Sequence, residues 1–176
     1  IEPGQLDQLL HEAIDPDHSE QPVAEGLSAS PGAAVGEAVF DADIAADRGA
    51  AGDRVVLIRF ETTPDDIHGV LQSQGVLTAH GGMTSHAAVV ARGMGKPCVP
   101  GASGIKIDYE ARTLTVGDTV IKEGDPITLD GSTGEVFAAA LPLIPPQINA
   151  DFQEVLSWAD ETRRLGVWAN ADNATD

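Results

Sequence analysis

Residues 54–79 read RVVLIRFETTPDDIHGVLQSQGVLTA, and they decide the fold class. RVVLIRF at 54–60 is apolar and β-branched with no alternation, the pattern of a strand buried in a sheet. Thr63-Pro64-Asp65-Asp66 then opens a helix. Thr63 is a natural N-cap, Pro64 suits the first helical position, and the two acids face the positive end of the helix dipole. GVLTA at 75–79 makes a second short strand. Strand, helix and strand in succession make the class mixed α/β.

Upstream, Ala34, Gly36, Ala38 and Phe40 alternate as in a strand, and DADIAADRGA at 41–50 suits a short helix. GQLDQLLHEA at 4–13 suits another, followed by a polar linker at 15–19. Downstream, a Gly81-Gly82 break precedes a helix at 85–93. Beyond Pro97 the chain turns to β, with strands expected at Thr113–Val116, Thr119–Lys122, Ile127–Leu129 and Glu135–Ala138. Gly-Asp and Gly-Ser-Thr-Gly turns separate them. This order places helices early and a β-rich half late, without the regular βα alternation of a doubly wound sheet. PLIPP at 142–146 begins a stiff connector, and 151–164 is an amphipathic helix with Phe152, Val155, Leu156 and Ala159 on one face. LGVWAN at 165–170 resumes an apolar run, as a strand cut from its sheet would.

The 176 residues predict one main domain, and their 28 acids against 10 bases give a net charge of −18. That charge opposes nonspecific binding to nucleic acid or to anionic lipid. A single cysteine, Cys98, excludes an intrachain disulfide framework and a cysteine-rich zinc site, and points to a reducing, cytoplasmic setting. No apolar run is long enough to span a membrane, and the first residues lack the pattern of a signal peptide.

The chemistry concentrates in GGMTSHAAVVAR at 81–92. Gly81 and Gly82 allow a tight turn and leave space beside the main chain. Thr84 and Ser85 are N-cap candidates, and His86 falls in the first turn of the helix that follows. The positive end of the helix dipole disfavours a second positive charge on that ring, and a neutral imidazole nitrogen is a nucleophile. Free backbone N–H groups and the Thr84 and Ser85 hydroxyls suit a phosphoryl group. Arg92 lies six residues on, off the His86 face, but has a long guanidinium suited to phosphate. Without further information, a half-buried histidine with a satisfied hydrogen bond remains the plainer reading.

GGMTSHAAVVARGMGKPCVPGA resembles the phosphohistidine signature of the PEP-utilising enzymes, most closely that of the pyruvate phosphate dikinases. Weaker forms occur in phosphoenolpyruvate synthase, enzyme I of the sugar phosphotransferase system and rifampin phosphotransferase. QLDQLLH at 5–11, GLSASPGAAVG at 26–36, ETTPDDIHGV at 61–70, DGSTGEV at 130–136 and GVWANAD at 166–172 resemble the dikinases in the same order. The sequence departs from many dikinases at His80, where arginine is expected, and at Pro97, where cysteine often stands.

The resemblance implies that 21–141 form a layered α/β swivelling phosphohistidine domain. It makes 1–20 a connector from an ATP-grasp nucleotide domain and 142–176 the lead into a TIM-barrel pyruvate domain. His86 is then the residue phosphorylated, supported by Gly81, Gly82, Thr84, Ser85 and Arg92. Thr84 matches a threonine targeted by a regulatory kinase/phosphatase. The implied reaction converts ATP, phosphate and pyruvate to AMP, pyrophosphate and phosphoenolpyruvate, with magnesium held by the neighbouring domains and none bound tightly here. In that scheme the histidine takes the β,γ-pyrophosphoryl group from ATP and passes the γ-phosphoryl to phosphate. Hinges are expected at 15–21 and 142–146. The alternatives are the carrier domain of a synthase or related phosphotransferase, and a non-catalytic interaction module. Cys98, between prolines in an apolar setting, reads as structural.

Overall fold

The structure is a computed structural model and describes residues 11–146, 150–164 and 166. The chain divides into two compact units, one ending at Pro146 and one beginning at Gln147. The strands are β1 (Ala13–Ile14), β2 (Ala24–Glu25), β3 (Ala33–Val39), β4 (Val55–Arg59), β5 (Gly75–Thr78), β6 (Cys98–Val99), β7 (Lys106–Asp108), β8 (Thr113–Val116), β9 (Thr119–Lys122), β10 (Pro126–Asp130), β11 (Glu135–Phe137) and β12 (Leu143–Ile144). The helices are α1 (Ala42–Ala50), α2 (Ile67–Gln72, entered through a 3-10 turn at Pro64–Asp66), α3 (His86–Gly93) and α4 (Ala150–Thr162).

RVVLIRF becomes β4, the middle of a parallel run. β3, β4, β5 and β6 lie side by side in chain order and all run parallel. Each step between them carries a helix, first α1, then α2, then α3. The sequence reading did not draw this βα alternation. Its last strand, β6, has only two residues, too few for any hydrophobic period to register. Beyond β3 the sheet continues antiparallel through β10 and β11 to β2, giving seven strands.

Both faces of β4 are buried, as its unbroken apolar run requires. Val55 and Leu57 join Val39, Ala45, Val70, Val76, Ala87 and Ala91 under the helices. Val56 and Ile58 face the other way, with Phe40, Leu77, Ile127 and Val136. A separate antiparallel sheet, β7-β8-β9, supplies Leu114 and Ile121 to that second cluster. The body is therefore three layers: helices, the seven-stranded sheet, and the small sheet.

Two expectations change at the ends of this unit. The helix expected at 4–13 lies outside the described residues up to residue 10, and Ala13 is in a strand, not a helix. The PLIPP connector is not an unpaired spacer either, because it contains β12, which pairs antiparallel with β1. Ala13 faces Ile144, Ile14 faces Leu143, and Asp15 N–H donates to Pro142 O at 2.9 Å. Chain entering and chain leaving are thus laced into one ribbon, and the ends of the expected hinges at 15–21 and 142–146 are tied together. Ala33 N–H donates to Glu12 O at 2.8 Å and fastens the incoming segment to β3. In the second unit, α4 forms where the amphipathic helix was expected. LGVWAN lies outside the described residues except for Gly166.

Candidate phosphoryl-acceptor site

The parallel strands end where the GGMTSH loop begins. In open α/β sheets this is the side on which ligands bind, because loops and helix N-termini converge there. β4 and β5 remain paired past their formal ends. Ala79 N–H donates to Arg59 O at 3.1 Å, and His80 N–H donates to Phe60 O at 2.7 Å. The Phe60 and His80 rings stack, with centroids 5.6 Å apart and planes 4° from parallel.

Gly81 then turns the chain at φ 124°, a backbone conformation that side-chain-bearing residues rarely adopt. Its carbonyl sits against Gly101, where an added Cβ would come within 2.4 Å of the oxygen. At Gly82 an added Cβ meets nothing within 4 Å, so that edge of the loop is open. Ser85 N–H donates to Gly82 O at 2.9 Å and closes the turn. Ser85 Oγ accepts from Ala88 N–H at 3.3 Å, which makes Ser85 the N-cap of α3. Thr84, the other cap candidate, is exposed in the turn before it.

His86 is the first residue of α3 and is half-buried. Its Nδ1 lies 3.2 Å from Oγ1 of Thr62. Thr62 is itself buried, at 8% exposure. Nε2 makes no hydrogen bond to the described residues, so Nδ1 is the ring nitrogen that the fold engages. A hydroxyl both donates and accepts, so Thr62 can hold Nδ1 whether or not that nitrogen carries a proton. Ala87, Ala88 and Ala91 are buried beneath the ring's helix, so the small residues after His86 let α3 lie close on the sheet.

The structure thus brings Gly81, Gly82, Thr84, Ser85 and His86 into one loop and helix start. It does not bring Arg92 to them. Six residues along a helix is about 9 Å of axial rise, and Arg92 Nε donates to Ala29 O at 2.9 Å. Cys98 is fully buried, and burial pushes its thiol up to about 12, with Arg92 acting weakly in the opposite sense. A reactive thiol requires the reverse, so the structural reading of Cys98 holds. Among the described residues no group of three or more His, Cys, Asp and Glu is placed to hold a metal ion. Thr62 is the contact that sequence reasoning missed. ETTPDD was read for the cap at Thr63, and nothing local shows that the preceding hydroxyl turns inward onto a histidine 24 residues away.

Residues 51–134 match the family model described as the mobile domain of the PEP-utilising enzymes. This stretch is similar to that domain. The matched stretch contains every residue of the candidate site, Thr62 included. The pyruvate, phosphate dikinase of Entamoeba histolytica is 51% identical over 173 residues, covering 98% of this chain and 19% of the dikinase. The chloroplastic pyruvate, phosphate dikinase 1 of Arabidopsis thaliana is 51% identical over 178 residues, covering 100% of this chain and 18% of its own. The chain therefore spans about a fifth of the length of these relatives. A solution NMR structure of Enzyme I overlaps 62% of this chain and 37% of its own, at 26% identity and a TM-score of 0.35. No helix among the described residues is long and apolar enough to cross a membrane.

Proposed function

We propose that this chain is the mobile phosphoryl carrier of a pyruvate phosphate dikinase, with Nε2 of His86 as the atom that takes up and returns phosphate. The observation that carries the reading is the half-buried His86 ring at the start of α3, with Nδ1 held by Thr62 and Nε2 left free. The match to the mobile domain of the PEP-utilising enzymes and the named dikinase relatives support it.

The step has a simple balance. The Nε2 lone pair attacks the phosphorus of phosphoenolpyruvate, the N–P bond forms, and the P–O bond to the enolate breaks. The enolate carbon takes up a proton and leaves as pyruvate. A covalent intermediate splits one difficult transfer into easier ones. The new phosphoryl charge lies at the positive end of α3, near its first-turn N–H groups. Ser85 caps that turn, Gly81 shapes the loop, and Gly82 leaves the approach open. Thr84, exposed beside the histidine, is available to a regulatory kinase/phosphatase. Arg92 supports phosphate only if its bond to Ala29 is given up.

In this reading, residues before the body lead from an ATP-grasp nucleotide domain, and residues after it lead to a TIM-barrel pyruvate domain. Magnesium belongs to those domains, where it supplies charge neutralisation of phosphates. The setting is a reducing one, with no nucleic acid or membrane partner.

The test is a labelling assay. The chain is mixed with radiolabelled phosphoenolpyruvate and a competent barrel domain, and wild type is compared with His86→Ala. An acid-labile, base-stable label that disappears in the variant is expected. No label on wild type, with the barrel domain active on a known carrier, overturns the reading and leaves an interaction module.

A further inference from the structure

Thr62 touches the histidine, but something must hold Thr62. It sits in the segment that joins β4 to α2, and the backbone on both of its sides is anchored. Ahead of it, Phe60 N–H donates to the Tyr109 hydroxyl at 2.7 Å, and Phe60 O accepts from His80 N–H. Behind it, the next peptide N–H, that of Thr63, donates to Oδ2 of Asp66 at 2.8 Å. The Thr63 hydroxyl donates to the same oxygen at 3.1 Å. The other oxygen, Oδ1, meets Nη2 of Arg59 at 3.1 Å. Arg59 ends β4, so this ion pair closes the segment at its base and Thr62 lies within the closed span.

Asp66 is only 5% exposed, and a carboxylate so buried needs compensation of this kind. Arg59 lines two cavities, of about 240 and 250 Å³, and its Nε is buried without a partner among the described residues. The guanidinium is held by Asp66, by Phe40 O at 3.1 Å from Nη1, and by the Tyr109 ring 5.2 Å below. Asp66 is therefore the one group that fixes both the closure of the segment and the peptide next to Thr62.

We propose that Asp66, acting through Arg59 and the Thr63 peptide, is a positioning residue for His86: it holds the Thr62 hydroxyl on Nδ1 and so decides which imidazole nitrogen takes up phosphoryl. Only the choice of Nε2 as the working nitrogen rests on the carrier reading.

Phosphoramidate tests this on the 176-residue chain with no other domain present. Its P–N bond breaks, ammonia leaves, and an N–P bond forms on the ring. Nitrogen-15 and phosphorus-31 spectra then give the ratio of Nε2 to Nδ1 product at His86, after subtraction of the His86→Ala chain. Wild type is expected to give the Nε2 product. Asp66→Asn, Arg59→Lys and Thr62→Val are expected to lower the ratio by about tenfold, the factor one hydrogen bond commands. Folding is checked by circular dichroism. If Asp66→Asn fails to fold, Arg59→Lys answers alone, since it keeps the charge and loses the two-pronged grip. A wild-type ratio in folded Asp66→Asn or Arg59→Lys, with Thr62→Val altered, overturns the role of Asp66. An unchanged ratio in all three, or a mixed product in wild type, overturns the whole scheme. A chain that shows the expected ratios yet takes no label from phosphoenolpyruvate sinks the carrier reading and leaves the positioning role standing.

Discussion

His86 and Cys98 sit at opposite ends of the helical segment between β5 and β6, and their surroundings give them opposite chemistry. His86 is half-open, and Ala in its place removes one hydrogen bond, so His86→Ala is expected to cost about 1 kcal/mol in a denaturant titration while abolishing labelling. Cys98 is sealed. Its thiol is pushed up to about 12 from an ordinary 9.0. Below 9.0 both folded and unfolded chains hold the proton, and stability does not depend on it. Above 9.0 the unfolded thiol ionises first, so stability falls with pH until about 12. The slope is about 1.4 kcal/mol per pH unit. Wild type is therefore expected to lose about 2 kcal/mol more than Cys98→Ala between about pH 9 and about pH 10.5. Equal losses in the two chains would show that the thiol is not buried from solvent. At this scale the sequence was legible where a local rule applies. Ser85 as a cap and Gly81 as a turn follow from side-chain chemistry alone. Thr62, Arg59 and Asp66 were not legible as a group, because their meeting depends on how a strand end and a helix start are folded together.

Among the elements, β4, α1, α2, α3 and the hairpins from β8 to β11 follow from apolar runs, caps and glycine turns. The elements that escaped are β1, β2, β6 and β12, two residues each, and β7, three residues long, whose existence depends on a partner strand and not on their own pattern. Two strands of the small sheet, β8 and β9, were anticipated, but not β7, nor the sheet's task of covering the second face of the large sheet. Leu114 is the test of that task. It is fully buried in the cluster beneath β4 and β5. Leu114→Ala is expected to cost about 2–5 kcal/mol, the range for emptying a leucine site in a close-packed core. A cost under about 1 kcal/mol in equilibrium unfolding would show that the small sheet is an appendage and not a layer.

For the whole molecule, both core clusters draw their described residues from Ala24 to Val136, all inside the first unit. A chain ended after Pro146 is thus expected to melt cooperatively within a few degrees of the full chain, as followed by circular dichroism. A broad, non-cooperative melt would place essential packing in the second unit. The ribbon of β1 and β12 has a mechanical meaning as well. Because the strands are antiparallel, Ala13 and Ile144 form its outer end, and both connectors depart from that end. A pull between the connectors does not shear the ribbon. It peels the pairs apart one after another, the weakest way to load hydrogen bonds. Tension between the two connectors is therefore spent first on the Glu12–Ala33 bond and then on two residue pairs, and the tether lengthens while His86 and its supports stay seated.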